Sequence, residues 1–362
     1  MLDPNRKPPS IQDVARIAGV TASTVSRVLN DKPDVSSETR KRVLQTIADL
    51  NYHPNAQAIS LSMQRTGIVG LVVQDITHIF CTAIMESVHN TLQEHGFWLL
   101  VANGTLDTEE HAQQQHRLIE QLWRSRRVDG LLVLTPVDSS RAILREIANE
   151  KFPCVLIDSD LNLTDIRSVV VDNYHGSYLA TEHLLSLGYR EIAHLGGPKW
   201  VPSGRERLTG FQAALNEWGV SVRPEWTIPG QGFDEQTGRQ GMATLLSLPE
   251  RPRAVFAACD YIAFGAIRAI KAANLRIPED IAIVGFDDIP LAARFDPALT
   301  TVRQPLNFMG KTATEILCRW LTGREDVRPE PGEITVKTEL VVRSSCGFHS
   351  APHHPITVSD QT

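Results

Sequence analysis

The chain opens on two short stretches of helical periodicity and then changes rhythm. Ile11, Val14, Ala15 and Ala18 recur at the spacing of one helix face. Ser10 stands at the N-cap, and Asp13, three residues on, completes a capping box. Gly19 supplies the positive φ of a tight turn, Val20 packs the corner, and Thr21 caps a second helix. That helix is predicted to bury Val25, Val28 and Leu29 and to turn Ala22, Ser23, Ser26 and Arg27 outward. After a loop at 31–34, Ser36 caps a third helix that runs to about Leu50, with Val43, Leu44, Ile47 and Leu50 at helical spacing. Residues 51–55 break the pattern. Residues 56–63 read as one more helical segment, too short to persist alone.

From Ile68 the pattern becomes apolar runs alternating with helices. The runs are 68–73, 98–102, 131–134, 155–157, 169–171, 192–195, 255–258 and 281–286, with helical stretches such as 81–95, 111–124, 176–187 and 263–273 between them. Near-continuous apolar strands alternating with helices predict parallel sheets covered on both faces, the doubly wound α/β class. About 270 residues of this pattern exceed one ordinary sheet, so two lobes with a cleft between them are expected. The expected fold is thus a small all-α helix-turn-helix head on an α/β core.

Charge divides the chain in the same place. Residues 1–65 carry nine Lys and Arg against six Asp and Glu, net +3, which leaves −9 for the remainder of a chain whose total is −6. A basic head on an acidic body suits a polyanion-binding module joined to a globular domain. The five cysteines are scattered and never in C-x-x-C spacing, which points to a reduced intracellular protein without structural zinc. The N-terminus lacks the apolar core of a signal peptide, and no apolar run approaches a membrane span. A cytoplasmic location is expected.

Two helices joined by a glycine turn, the second presenting a small polar face with one arginine, have the layout of a helix-turn-helix that reads the DNA major groove. The rival account is an ordinary helical hairpin. Elsewhere, Gly310-Lys311-Thr312 imitates the end of a phosphate loop, but Pro305 stands where the first glycine is required, so a helix start is expected. Gly196-Gly197-Pro198 lacks dinucleotide-loop spacing and reads as a ligand-side loop. His183 and His194 sit in apolar patterns and read as structural. No catalytic motif or metal-ligand cluster appears, so neither an enzymatic centre, a metal nor a cofactor is expected.

The opening hairpin, Tyr52-His-Pro-Asn-Ala56, Ser60-Leu61 and the α/β body together resemble the lac-repressor/gal-repressor (LacI/GalR) family. Further matches are Val128-Asp-Gly130, Val171-Asp-Asn173, His183-Leu-Leu, Arg207-Leu-Thr-Gly-Phe211, Gly285-Phe-Asp-Asp288 and Pro297-Ala-Leu-Thr-Thr-Val302. They run in order across residues 10–346. The resemblance implies a leader at 1–9, a helix-turn-helix domain at 10–53, a hinge helix and linker at 54–66, a periplasmic-binding-protein-like core at 67–346 and a disordered tail at 347–362. It places lobe one at about 67–166 and 297–323, and lobe two at about 167–294 and 326–346.

By the same resemblance Thr21, Ala22, Ser23, Ser26, Arg27, Asn55, Ala58 and Leu61 contact DNA. Leu61 would wedge into the minor groove at the operator centre. Ile59 departs from the arginine many members carry there. The resemblance also puts Phe80, Asp158, Arg207, Phe233 and Asp287 around an effector: carboxylates and a guanidinium grip hydroxyls, and phenyl faces stack on a sugar ring or base. Cys259 replaces a common asparagine, and Asp260 is expected to cap the following helix. Val201 replaces an arginine of a purine-sensing relative, which favours a sugar. The expected partners are a palindromic operator, a sugar-like effector and a second copy of the chain, and the expected activity is repression of carbohydrate-utilisation genes. Two rivals stay open: a sugar-binding module or sugar-processing enzyme with an incidental helical head, and a regulator that senses a nucleoside or purine.

Overall fold

The computed structural model describes residues 9–29, 31–52, 65–104, 109–159, 161, 163–323 and 329–347. They form two compact units that divide after Gly67.

In the first unit, α1 (Ile11–Ala18), α2 (Ala22–Leu29) and α3 (Ser37–Leu50) close on one small core. Val14, Ala15, Ala18, Val25, Val28, Val43 and Tyr52 are buried together, so each helix turns its apolar stripe inward and its polar face to solvent. So few large side chains bury little surface, and local capping carries weight: Ser36 accepts from the Thr39 amide, as expected from sequence.

The second unit holds two parallel sheets. The first comprises β1 (Ile68–Val73), β2 (Trp98–Asn103), β3 (Gly130–Leu134), β4 (Cys154–Ile157), β5 (Arg167–Val171) and β11 (Gly332–Val336), in the order β11-β5-β4-β3-β1-β2. Around it lie α4 (Ile79–Glu94), α5 (Glu109–Arg124), α6 (Arg141–Asn149) and α11 (Leu306–Thr322). The second comprises β6 (Ile192–Leu195), β7 (Thr227–Ile228), β8 (Ala254–Ala257), β9 (Ala282–Asp287), β10 (Thr300–Arg303) and β12 (Glu339–Val341), in the order β12-β10-β9-β8-β6-β7. Only β12 among these runs antiparallel. Its helices are α7 (Asn173–Ser186), α8 (Pro202–Glu217), α9 (Glu235–Ser247) and α10 (Asp260–Ala272). Each sheet has apolar clusters on both faces, which is why the central strands read as unbroken apolar runs.

The lobe boundaries differ from expectation at each crossover. β5 was expected to open lobe two, but it lies between β4 and β11 in the first sheet, with Ile157 opposite Val169 and Ile334 opposite Val169 on the other side. β10 was expected in lobe one, yet it pairs with β9 in the second sheet, Val302 opposite Phe286. β11 was expected in lobe two and belongs to lobe one. The chain therefore crosses at Asp172, at Gln304-Pro305 and between Val336 and Glu339. Strand pairing, a tertiary property, decides these points.

The helix expected around Gly310 begins at Leu306, as α11. Gly310 lies inside α11, where a Cβ would come within 2.1 Å of Ser87 Oγ, so a bare backbone lets α11 press against α4. Gly238 does the same for α9 and α10, with Ile262 O only 2.0 Å from its missing Cβ. Among the described residues, no helix is long and apolar enough to cross a membrane.

Candidate functional site

In the head, the Ser10 hydroxyl accepts from the Asp13 amide while the Asp13 carboxylate accepts from the Ser10 amide. The Ser10 hydroxyl also donates to Asp13 Oδ2 at 2.7 Å, and that bond, with those from the Ser10 amide and Arg16, holds the exposed Asp13 carboxyl down at about 2. Gly19 takes φ +65° and donates to Ala15 O, which turns the chain into α2. Thr21 Oγ1 accepts from the Thr24 amide at 3.2 Å, capping α2. Of the residues expected to face outward, Ser23 and Arg27 are exposed, whereas Ser26 is half-buried. Ala22 is a correction: its methyl packs partly against the head core, so less of it is available to a base. Arg27 is held in a surface ion pair with Asp34 at 2.9 Å. Asn55, Ala58, Ile59 and Leu61, with the hinge segment, the leader before Pro9 and the tail after Gly347, lie outside the described residues.

In the second unit, strand ends from both sheets converge on a cavity of about 360 Å³. The five effector candidates, Phe80, Asp158, Arg207, Phe233 and Asp287, all line it. Each is delivered by an element terminus or a helix facing the gap between lobes. Asp158 follows β4, with φ +54°, and Asp287 ends β9, with φ +115°, so both backbones turn sharply where the strands stop. Arg207 reaches over from α8, and Phe80 from the first turn of α4. Phe233 lies against Gly197, where any Cβ would fall 2.3 Å from its ring. The Gly196-Gly197-Pro198 loop is thereby a seat for this phenyl, and Pro198 lines the cavity beside it.

Arg207 organises the electrostatics. Its guanidinium is 4% exposed, donates from Nε to Asn173 Oδ1 at 2.9 Å and from Nη1 to Ala258 O at 2.6 Å, and stacks on Phe286. Nη1 also lies 3.6 Å from Asp287 Oδ1, which accepts from Gln304 Nε2 at 2.6 Å. Burial pushes the Asp287 carboxyl up to about 6, against the opposing pull of Arg207 and His78. Asp158 is pushed up by the same desolvation, with Arg207 and the Thr135 hydroxyl pulling it back. These five side chains bring two carboxylates, one guanidinium and two phenyl rings to the cavity, whose lining also includes Asp75 and Asp234.

Several lining residues escaped the sequence reading. Gln74 and Thr135 stand directly after β1 and β3, at the carboxyl ends where open α/β sheets bind ligands. That rule, applied strand by strand, would have found them. His78 Nε2 meets Phe233 O at 3.2 Å, joining the two lobes across the cavity mouth. Ser203 also lines the cavity, and nothing in the sequence marks it.

Asp260 departs from expectation. Cys259 is the N-cap of α10, its Sγ accepting from the Ile262 amide at 3.5 Å. Asp260 instead points back into the sheet, where it accepts from the Ile289 amide at 2.9 Å and the Thr301 hydroxyl at 2.6 Å. Burial, with Asp287 nearby, pushes its carboxyl well up. His194 is structural, as expected, but only half satisfied. Nδ1 pairs with Phe256 O at 3.1 Å while Nε2 is buried without a partner. His183 Nε2 pairs with Cys346 Sγ at 3.3 Å.

Comparison with known proteins decides the affiliation. Residues 10–55 match the family description "Bacterial regulatory proteins, lacI family", and residues 181–346 match "Periplasmic binding protein-like domain". An HTH-type transcriptional repressor PurR of Aliivibrio fischeri (strain MJ11) is 34% identical over 338 residues, covering 93% of this chain and 98% of that repressor. The chain belongs to the LacI family. It is a LacI-family DNA-binding transcriptional regulator rather than an enzyme. Among solved structures, a lac repressor dimer bound to operator and the anti-inducer ONPF superposes with a TM-score of 0.84 at 30% identity, covering 94% of this chain and 99% of that one. A complex of the transcriptional regulator CelR with cellobiose matches with a TM-score of 0.69 at 32% identity, covering 93% and 99%.

Proposed function

We propose that this LacI-family regulator is a repressor that binds a palindromic operator as a homodimer and takes a carbohydrate effector in the cavity between its lobes. The observation that carries the effector reading is the convergence of Phe80 and Phe233 with Asp158, Arg207 and Asp287 on one space. Phenyl faces cover the apolar face of a pyranose, and paired carboxylates with a guanidinium grip its hydroxyls. Gln74, Gln231, Gln236 and Gln240 add amide groups of both polarities. The cellobiose complex of the similar regulator supports a sugar. The PurR repressors among the relatives favour a second reading, a purine or nucleoside effector. Val201, buried at the N-cap of α8 and lining the cavity, argues against it by offering no hydrogen bond to a base.

On the DNA side, Thr21, Ser23, Ser26 and Arg27 are proposed to meet the major groove, with Ala22 giving a methyl contact. Asn55, Ala58 and Leu61 are proposed to contact the operator too, Leu61 at its centre. Dimerisation is supported by β2, an edge strand of the first sheet whose Trp98 is 76% exposed and whose Leu100 and Val101 also face solvent. Regulation then needs only linkage: an effector that binds one lobe arrangement better shifts operator occupancy by that difference.

A thermal-shift panel of sugars, sugar acids, purines and nucleosides tests the effector class. A sugar that raises the melting temperature supports the reading, and stabilisation by a purine alone overturns it. For DNA, log affinity on a palindromic site is expected to fall steeply with log salt. Leu61→Ala is expected to weaken operator binding and leave sugar binding intact, and loss of both refutes that separation of roles.

A further inference from the structure

His78 stands at the N-cap of α4 in extended backbone, φ −76° and ψ 125°, but its side chain makes no capping bond. A polar residue in that place ordinarily turns its side chain back to the first amides of the helix. The imidazole reaches across to the other lobe instead. Nε2 donates to Phe233 O at 3.2 Å, and the ring tilts against Tyr261 with centroids 4.8 Å apart. The next residue follows it: Ile79 packs against the apolar cluster of lobe two, and its amide donates to the Tyr261 hydroxyl. The start of a lobe-one helix is thus seated in lobe two.

Phe233 belongs to the segment 230–234, which brings Gln231, Gly232, Phe233 and Asp234 to the cavity. Gly230 and Gly232 give that backbone wide conformational freedom. Within lobe two it is held by the seat of the Phe233 ring on Gly197, by the Gly230 amide donating to Gly197 O at 3.3 Å, and by the Gly232 amide donating to Thr237 Oγ1 at 3.2 Å. His78 adds the tie to lobe one. A second bridge between the lobes, Arg205 of α8 to Asp138, is 3.7 Å long with both side chains about half exposed, so screening leaves it worth little.

We propose that His78 is a positioning residue for the effector: it clasps the segment 230–234 to lobe one, and the ligand leaves when the bond from Nε2 to Phe233 O opens. Its effect on a sugar rests on the carbohydrate reading of the cavity; the clasp itself does not. The residue that offers its phenyl face to the sugar is the one that offers its carbonyl to His78. A sugar stacked on the ring holds Phe233 still and favours the bond, and the bond holds the ring on the sugar, so the coupling is reciprocal. One hydrogen bond contributes about three- to tenfold to an equilibrium constant. Because the clasp closes after encounter, that factor falls on dissociation.

Two measurements on the full chain test this, and the first needs no ligand. Amide hydrogen exchange across 230–234, read by mass spectrometry, is expected to quicken about three- to tenfold in His78→Ala. It is expected to return to the wild-type rate in His78→Gln, whose side-chain amide carries a donor to a similar reach. Equal exchange in wild type and His78→Ala, or His78→Gln exchanging as fast as His78→Ala, overturns the clasp. The second measurement follows cellobiose, glucose, galactose and ribose by stopped flow. For a sugar that binds, dissociation is expected to quicken about three- to tenfold in His78→Ala while association is unchanged. Unchanged dissociation overturns the positioning role. Binding of none of the four sugars by wild type counts against the carbohydrate reading alone, because exchange judges the clasp without them.

Discussion

His194 offers a direct test of the buried electrostatics. It sits on β6 with its ring stacked between Phe211 and Phe256, at centroid distances of 5.1 and 5.2 Å. Burial, with a smaller contribution from the charge of Arg207, holds the imidazole down from 6.5 to about 4. Above pH 6.5 the ring is neutral in both folded and unfolded chains. Between 6.5 and 4 the unfolded chain takes a proton that the folded one refuses, so stability falls as pH falls and the loss is complete below 4. At about 1.4 kcal/mol per pKa step, the full loss is roughly 3 kcal/mol. Asp287 works in the opposite sense. Its carboxyl is raised from 3.8 to about 6, so its contribution is present at low pH and is lost as pH rises through 6. The two masks overlap, and the wild-type curve alone separates neither. Urea unfolding of wild type and His194→Gln at steps from about pH 7 to about pH 4 isolates the histidine, because Asp287 cancels in the difference. Wild type is expected to lose roughly 3 kcal/mol relative to the variant across that range. Parallel curves refute a neutral, desolvated His194.

Three further perturbations probe the other parts. Arg207→Ala leaves Asp287 and Asp158 buried without their cation and is expected to cost about 3–5 kcal/mol, read by denaturant unfolding, and to abolish sugar-induced thermal shifts. A variant that keeps either property places Arg207 outside the cavity's electrostatic centre. Gly238→Ala forces a Cβ into the Ile262 carbonyl and is expected to lower stability by at least about 1–3 kcal/mol through separation of α9 and α10. An unchanged melting temperature shows that the two helices are not so closely seated. Arg27→Ala removes an exposed ion pair worth under about 1 kcal/mol, so the head is expected to stay folded by circular dichroism. Operator affinity in a gel-shift titration is nevertheless expected to drop by about tenfold or more.

The legible parts of the fold were those whose environment repeats along the chain. β1 and β6 matched their apolar runs because both faces of a central parallel strand are covered. β11 escaped notice because it is an edge strand in which exposed and half-buried residues alternate from Gly332 to Val336. α8 escaped for the opposite reason: Pro202, Gly204, Arg207, Gly210 and Phe211 are all buried, so no clean polar stripe marks it as a helix. The lobe boundaries depended on which strands pair, which no local window records. The cavity residues are spread from Phe80 to Asp287, so periodicity had no means of gathering them, and only the family resemblance named them together. Asp260 departs from its expected capping role because its carboxylate accepts from the Ile289 amide and the Thr301 hydroxyl, partners remote in sequence that chain position does not suggest.

The three crossovers also fix an order of assembly. Emerging from the ribosome, the three helices of the head are complete once Tyr52 is out, and among the described residues their core involves none later. Neither sheet enjoys that independence. The first has its inner strands by Val171 but receives α11 only after residue 322 and its last strand at Val336. The second, begun in the meantime, is closed by β12 still later. A nascent chain therefore carries a finished DNA-reading head on a body that stays unfinished until the final few dozen residues arrive. Truncation near residue 300 strips both lobes at once. Exchange of one lobe between relatives cannot be achieved by a single splice.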